Sequence, residues 1–566
     1  MPRAWEFYES NIRVTRELNL SVSGLNHFLE GPYGTQAERT HEALLDAAYR
    51  ENDLYAELAK MVLGAWKSIQ PKVIEDGINR VNQRQAGSEM QLMGLLGSVL
   101  RFGQKSGFPL DLKEQVKAAA LSYRYWQDEP GCDTLPFERE SRQIIFHTCE
   151  ILAGQLYPSL TFANSGLTGR KHREKGEALA AAWIKERGAN GFVDWDSPQG
   201  YQETLAALSH LIDLAKTEAI WDLASVLMDK IFFSIALNVY KGVFGASQGL
   251  ATTQGVKGGL LQPTAGISRL MWGMGMFNHH LLGTVSLAMM KKYELPPIIA
   301  DIAAGLPPEL WDREQSAALG KTVNRVSYRT PDYMLAAAQD YHPGERGSRE
   351  HIWQATLGPK AVVFVNHPAC STQNDAHAPN FWLGNGSLPR VAQQKETLIA
   401  LYNLRTDTLL QYTHAYFPSI EFDEYVINGN TAFARKGSAY LALTAAQGLE
   451  MVQSGPTAYR ELRSYGLQNA WVCQMGRESL DGDFSLFQAR VLANPPELNG
   501  LSVVVQTPRE GRLEFSWDGL FTSAGSPIPF SGYPHFENPY TATSLPCREM
   551  EIHTQEYLLR LKFGEM

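Results

Sequence analysis

The spacing of apolar residues changes once along this chain, and that change restricts the fold more than any single motif. Up to about residue 315, apolar side chains recur every three or four positions. Examples are "TQAERTHEALLDAAYRENDLYAELAKMVLGAWKSI", "SEMQLMGLLGSVLRFGQ", "REKGEALAAAWIKERGAN" and "ISRLMWGMGMFNHHLLGTVSLAMMKKY", with Gly, Pro or Asn closing most segments. This is the period of amphipathic helices. No strands alternate with them, which excludes a βαβ domain, and no repeat of solenoid length is present. After about residue 325 the runs become short, β-branched or aromatic, and divided by turn residues: "AVVFVNHP", "TLLQYTHAYFP", "LSVVVQT", "RLEFSWDG". "INGNTA" carries an Asn-Gly hairpin signal. The pattern predicts a helical domain over residues 1–320 and an antiparallel β-sandwich over 325–566.

The 566 residues are 44% apolar, enough for large cores, and carry a net charge of −9. No long basic block occurs, which argues against nucleic acid as a partner. An acidic ligand would need a local cationic pocket to outweigh the overall charge. The opening "MPRAWEFYESNIRVTRELN" lacks the apolar core of a signal peptide, and no run is long and apolar enough to span a bilayer. The five cysteines are widely spaced without a CxxC pair. Reduced thiols and a cytoplasmic location are therefore expected.

Several segments place polar groups where chemistry could use them. In "RESRQIIFHTCEILAG", Gln143, His147 and Glu150 form one helical stripe, opposite Ile145, Cys149 and Leu152. In "WDSPQGYQETLAALSHL", Ser197 can cap a helix with Pro198 at its first position, which sets Tyr201 in the first turn. Tyr201 also aligns with Leu205, Leu208 and Ile212, the pattern of a core tyrosine. Trp195 offers a sugar-stacking face or ordinary packing. The loop "FGASQGLATTQGVKGG" presents Gln248 and Gln254 to sugar hydroxyls and is no nucleotide loop. His351, His367 and Asp375 form a conceivable structural divalent-metal set without tight ligand spacing. Trp382, Asn385 and Arg390 could line the lip of a cleft between the two halves.

Taken together, "RESRQIIFHTCEILAGQLYP", "GFVDWDSPQGYQETLAALSHLIDLA", "GVFGASQG", "FWLGNGSLPRVAQ" and "NAWVCQMG" resemble the heparinase II/III-like group of helical-toroid polysaccharide lyases, over nearly the whole chain. The resemblance implies an incomplete (α/α) toroid followed by antiparallel β-sheets. It also implies β-elimination at a sugar–uronate link, with no redox cofactor. Such a lyase needs a group to neutralise the uronate carboxylate, a base for the adjacent proton and an acid for the leaving oxygen. On this reading the Gln143–His147–Glu150 stripe faces the cleft, Arg142 meets the substrate carboxylate, and His147 or Tyr201 moves the proton. Trp195, Gln248, Trp382, Asn385 and Arg390 then contact the sugar.

One departure matters. Where relatives carry a Ser-Glu-Asn-His-Gln run, this chain has Arg139, Glu140, Ser141, Arg142 and Gln143. An arginine, with a pKa above ~12, is a poor base. The alternatives are a glycoside hydrolase using Glu140 or Glu150 with Asp194 or Asp196, a cyclase or isomerase acting on a small molecule, or a sugar-binding relative without catalysis. The expected partner is an acidic oligosaccharide or other small substrate, with neither nucleic acid nor membrane, and homo-oligomerisation left open.

Overall fold

The computed structural model describes residues 27–105, 108–318, 320–371 and 380–564. Helices come first. Two of the longest, Glu140–Leu156 and Gly169–Asn190, pack against each other, and the first also packs against Pro198–Leu214. Glycines set their closeness: a Cβ on Gly154 would lie 2.4 Å from the Gly169 carbonyl oxygen. Glu218–Asn238 ends in a strongly apolar run, with Phe232, Phe233, Ile235 and Leu237 all buried. Among the described residues no helix is long and apolar enough to cross a membrane.

The last of these helices, Pro297–Ala304, ends well before residue 320, and the first long strand is Leu310–Ala318. The expected boundary is therefore late, for a physical reason. "LWDREQSAA" alternates between buried and partly exposed positions, but its inward side chains include Asp312, Glu314 and Ser316. With polar residues facing inward, the apolar alternation that marks a strand is missing from the sequence.

Every strand pairing described is antiparallel. A ten-stranded sheet begins with the hairpin Leu310–Ala318/Lys321–Arg329 and runs through Met334–Gln339, Trp353–Thr356 and Val362–Asn366. A six-stranded sheet, including Thr397–Asn403, Ala439–Ala445 and Gln468–Arg477, packs on it around Leu335, Val363, Leu398, Leu441 and Trp471. The sandwich has two additions that the strand pattern did not anticipate. A five-stranded sheet covers the outer face of the six-stranded one through Val503, Leu513 and Phe515. The helix Phe484–Ala493 packs on Phe433 and Tyr440.

The halves share a core rather than merely touching. Met334, Ala336, Phe536, Ile552, Leu561 and Phe563, from the β half, belong to the same apolar cluster as the helices. Arg329, buried on its strand, donates to the carbonyls of Ala236 and Val239 at 2.8 and 2.7 Å and of Ile302 at 2.9 Å. These end the helices Glu218–Asn238 and Pro297–Ala304, whose last carbonyls lack intrahelical donors. No disulfide joins any two of the five cysteines.

Candidate active site

The seam between the halves is where the polar side chains converge. Its helical wall is the loop Gly191–Ser197 and the helix that follows. Ser197 caps that helix by accepting from the Gly200 N–H at 3.0 Å, with Pro198 at the first position, as the sequence implies. The start of Glu140–Leu156 lies within van der Waals reach of this turn: a Cβ on Gly200 would sit 3.9 Å from that of Ser141. The β wall is the segment Arg349–His351. A strap, residues 248–251, stitches the two together. Gln248 and His351 exchange backbone hydrogen bonds of 2.9 and 2.8 Å, the Gly249 N–H reaches the Trp195 carbonyl at 2.8 Å, and the Ala251 N–H that of Arg349 at 2.9 Å. Ser197 Oγ donates to the Leu250 carbonyl at 2.8 Å.

Behind the strap, Tyr201 donates its hydroxyl to Asp196 Oδ1 at 2.8 Å. The other Asp196 oxygen pairs with Arg325, which also bonds Glu314 Oε2 at 2.7 Å and Ser316 Oγ at 3.1 Å. Glu314 in turn accepts from Asn238 at 3.2 Å. Burial lifts the Asp196 carboxyl to about 6 despite Arg325. Burial, reinforced by Asp196, holds the Tyr201 phenol well above its ordinary value. Lys230 completes the group: it donates to the Gly188 carbonyl and to His535 Nε2, the latter at 2.7 Å, and burial pulls its amine down to about 8. Trp195, Asp196, Tyr201, Lys230, Arg325 and His535 enclose a cavity of about 20 Å³, space for one water and not for a sugar ring.

Nearer the surface, Arg139, Asp194, Gln199 and Arg349 are partly exposed on the seam. Asp194 feels both arginines, though burial still raises its carboxyl, and Arg349 feels Arg139 as a like charge. Neither guanidinium has an ion-pair or hydrogen-bond partner among the described residues, and the Nε of Arg349 is buried without one. The deeper arginines differ. Arg187 holds Glu140 at 2.5 Å, and Arg142 lies between Glu203, at 2.8 Å, and Glu89.

No protein-family model and no curated protein matches the chain. Among the solved structures similar to it are two polysaccharide lyases. One is heparinase III, with a TM-score of 0.38 and 10% identity, covering 88% of this chain and 85% of that one. The other is a mutant of the chondroitin AC lyase of Streptomyces coelicolor A3, with a TM-score of 0.39 and 12% identity, covering 92% and 83%. At such values neither likeness assigns a role to any residue here.

Several expected site residues prove to be committed elsewhere. Arg142 is buried and neutralised by two glutamates, so it has no face for a substrate carboxylate. His147 is buried against Trp126, ring centroids 4.5 Å apart, and burial drives its pKa down to about 3. Glu150 is fully buried on His172, 2.7 Å away, and Gln143 donates to the Phe137 carbonyl at 3.0 Å. The stripe thus packs against the loop before its helix and against Gly169–Asn190. Its polar character serves burial, not a cleft.

Trp195 is covered by the strap and meets Tyr341 edge-on at 4.6 Å, so it presents no open stacking face. Gln248 is buried in its bridge to His351. Trp382 lies flat on His414 at 4.3 Å, also buried. Asn385 accepts the His367 N–H at 3.3 Å. Arg390 spends its fork on Asp340 at 2.7 Å and on the carbonyls of Ser516 and Trp517, both at 2.6 Å, which fixes it to the five-stranded sheet. His351 and His367 bond Gln354 and the Leu410 carbonyl at 3.0 and 2.8 Å and do not converge on a metal; Asp375 lies outside the described residues.

Of the residues singled out in the sequence, the seam brings Trp195, Tyr201, Gln248 and His351 together. Sequence reasoning missed Arg325 as the partner of Asp196, the buried Lys230, and that Arg139 and Arg349, rather than Arg142, are the open arginines. A lone lysine within "LMDKIFFSIALNVY" was a readable signal, since a cation there must be buried and partnered.

Proposed function

We propose that the chain is a carbohydrate-active lyase that binds an acidic, uronate-containing oligosaccharide at the seam and cleaves it by β-elimination. The observation that carries this reading is the pair of seam arginines, Arg139 and Arg349, that have no ion-pair or hydrogen-bond partner among the described residues. Asp194 offsets only part of their charge, and planar guanidinium forks match a further carboxylate. The N-termini of Glu140–Leu156 and Pro198–Leu214, which meet at Gly200, add partial positive charge. The helical half, read as an incomplete toroid, supplies one wall of this site and the sandwich the other.

In this scheme Arg139 and Arg349 take the neutralising role first given to Arg142, making the proton beside the carboxylate acidic. His351 takes the place of His147 as base, but it too is buried, so it can act only once the strap bonded to its backbone at Gln248 lifts. Burial holds its pKa near 4, so the ring is neutral at pH 7. If its Nε2 proton goes to Gln354 Oε1, 3.0 Å away, the lone pair lies on Nδ1. Tyr201, kept protonated, is the acid for the leaving oxygen. Because the chamber beside it has room for no more than one water, the strap must lift for a sugar to reach it.

The test is incubation with a panel of uronate oligosaccharides, followed by the ultraviolet absorbance of an unsaturated product. Absorbance that rises with wild type and falls sharply with Arg139→Gln and Arg349→Gln is the expected result. New reducing ends without that absorbance would replace elimination by hydrolysis. That rival has lost its suggested glutamates, since Glu140 is tied to Arg187 and the N–H groups of Val193 and Asp194, and Glu150 to His172.

A further inference from the structure

Another cluster of ligating side chains lies inside the helical half. Glu150 comes from the middle of Glu140–Leu156, His172 from the first turn of Gly169–Asn190, and Glu129 from the loop before both. Close helix packing places them together: a Cβ on Gly176 would lie 3.3 Å from that of Glu150. His172 Nδ1 is 2.7 Å from Glu150 Oε1 and 3.9 Å from Glu129 Oε1, and one donor atom from each residue lies within 4.8 Å of the others. Glu150 and His172 are wholly buried and Glu129 is 5% exposed.

Two further features point to a cation. Glu150 Oε2 is buried without a hydrogen-bond partner, a costly state for a carboxylate oxygen. The charges also do not balance. The ammonium of Lys175, 3.4 Å from both Glu129 Oε1 and Glu150 Oε1, is shared with a third carboxylate, Asp128, at 2.8 Å. The surroundings resemble an outer ligand shell. Ser165 Oγ stands 2.6 Å from His172 Nε2, where it can fix the ring with Nδ1 turned to the carboxylates. Asn164 and the Tyr125 N–H orient Glu129 through its other oxygen, at 3.1 and 3.3 Å.

We propose that Glu129, Glu150 and His172 form a structural site for a divalent first-row cation of the Zn²⁺ or Mn²⁺ type. Two carboxylate oxygens and one imidazole nitrogen suit either ion, with water completing the shell. The ion takes the place of the Lys175 ammonium. That side chain is already 20% exposed and keeps Asp128 as its partner, so it can swing outward. Binding ties the loop at residue 129 to both helices and raises the thermal midpoint.

The probes are MnCl₂, followed by loss of the free-ion electron paramagnetic resonance signal, and ZnCl₂, followed by calorimetry. Both use a Cys132→Ser background, because that exposed thiol would itself take zinc. One equivalent should bind. Glu129→Gln or His172→Asn should weaken binding about tenfold or more, and Lys175→Met should strengthen it, with helical circular dichroism confirming that each variant folds. Absence of stoichiometric binding of both ions to the parent and to Lys175→Met would overturn the site. So would affinity that is unchanged in Glu129→Gln, or in His172→Asn wherever that variant folds.

Discussion

Replacing Arg142 by alanine separates a structural arginine from a ligand-binding one. Glu89 and Glu203, its partners, are both fully buried. Removing the guanidinium strands two carboxylates in a low-dielectric interior, and breaking a buried ion pair in this way costs about 3–5 kcal/mol. The loss divides unevenly. Glu203 keeps donors from Ser141 at 2.5 Å and Gln199 at 2.6 Å, whereas no other side chain is seen to donate to Glu89. Most of the penalty therefore falls on Glu89, and Arg142→Met combined with Glu89→Gln should recover much of it. Denaturant unfolding followed by helical circular dichroism gives the size. A pH series gives the cause. The Glu89 carboxyl is already raised by burial against the pull of Arg142; without the arginine its folded pKa lies further above the unfolded one, so the variant's deficit should shrink as pH falls toward the ordinary carboxylate range. If Arg142→Ala unfolds within about 1 kcal/mol of wild type at neutral pH and instead weakens binding of acidic oligosaccharides, the arginine faces ligand and the assignment made here is wrong.

Tyr201→Phe removes one hydrogen bond to Asp196, which keeps Arg325. Stability should fall by about 1 kcal/mol while turnover on a uronate substrate falls ~10²–10⁴-fold; equal small losses in both would make the tyrosine structural. Arg139→Gln and Arg349→Gln should raise KM and reduce its salt sensitivity with the unfolding midpoint unchanged, as measured by initial rates at two ionic strengths. Asp229, whose carboxyl is raised by burial to about 7 although Tyr293 donates to it at 2.6 Å, gives a pH test. Its folded pKa exceeds the unfolded value near 3.9, so its contribution is complete below that value and disappears as pH rises through about 7. Asp229→Asn should therefore gain stability relative to wild type between pH 5 and 8 in thermal melts, and a flat difference would refute the burial argument.

The order of helices then strands was readable because both periods rest on apolar residues, which the core enforces. The strand Leu310–Ala318 was not, since its inward Glu314 is satisfied by Arg325 on the paired strand and its inward Asp312 by Asn538 from far along the chain. The same limit governs the site. Ser197 and Pro198 located the first turn bearing Tyr201, a local signal. Whether Arg142 or Arg139 is open depends on Glu89 and Glu203, 53 and 61 residues away by number from Arg142, and no spacing rule reports that. His147 and Glu150 misled because a polar stripe looks alike whether it meets water or a second helix carrying His172.

The strap at residues 248–251 is held almost wholly by main-chain hydrogen bonds, with Gly249 pressed so closely on Trp195 that a Cβ would come within 2.6 Å of its ring. Its grip therefore depends little on which side chains it carries. Leu250, which is partly exposed, can be exchanged through evolution or in the laboratory while the latch stays in place, whereas buried Gln248 has less freedom. Gly249 alone is not exchangeable: even alanine there would prise the latch from the tryptophan.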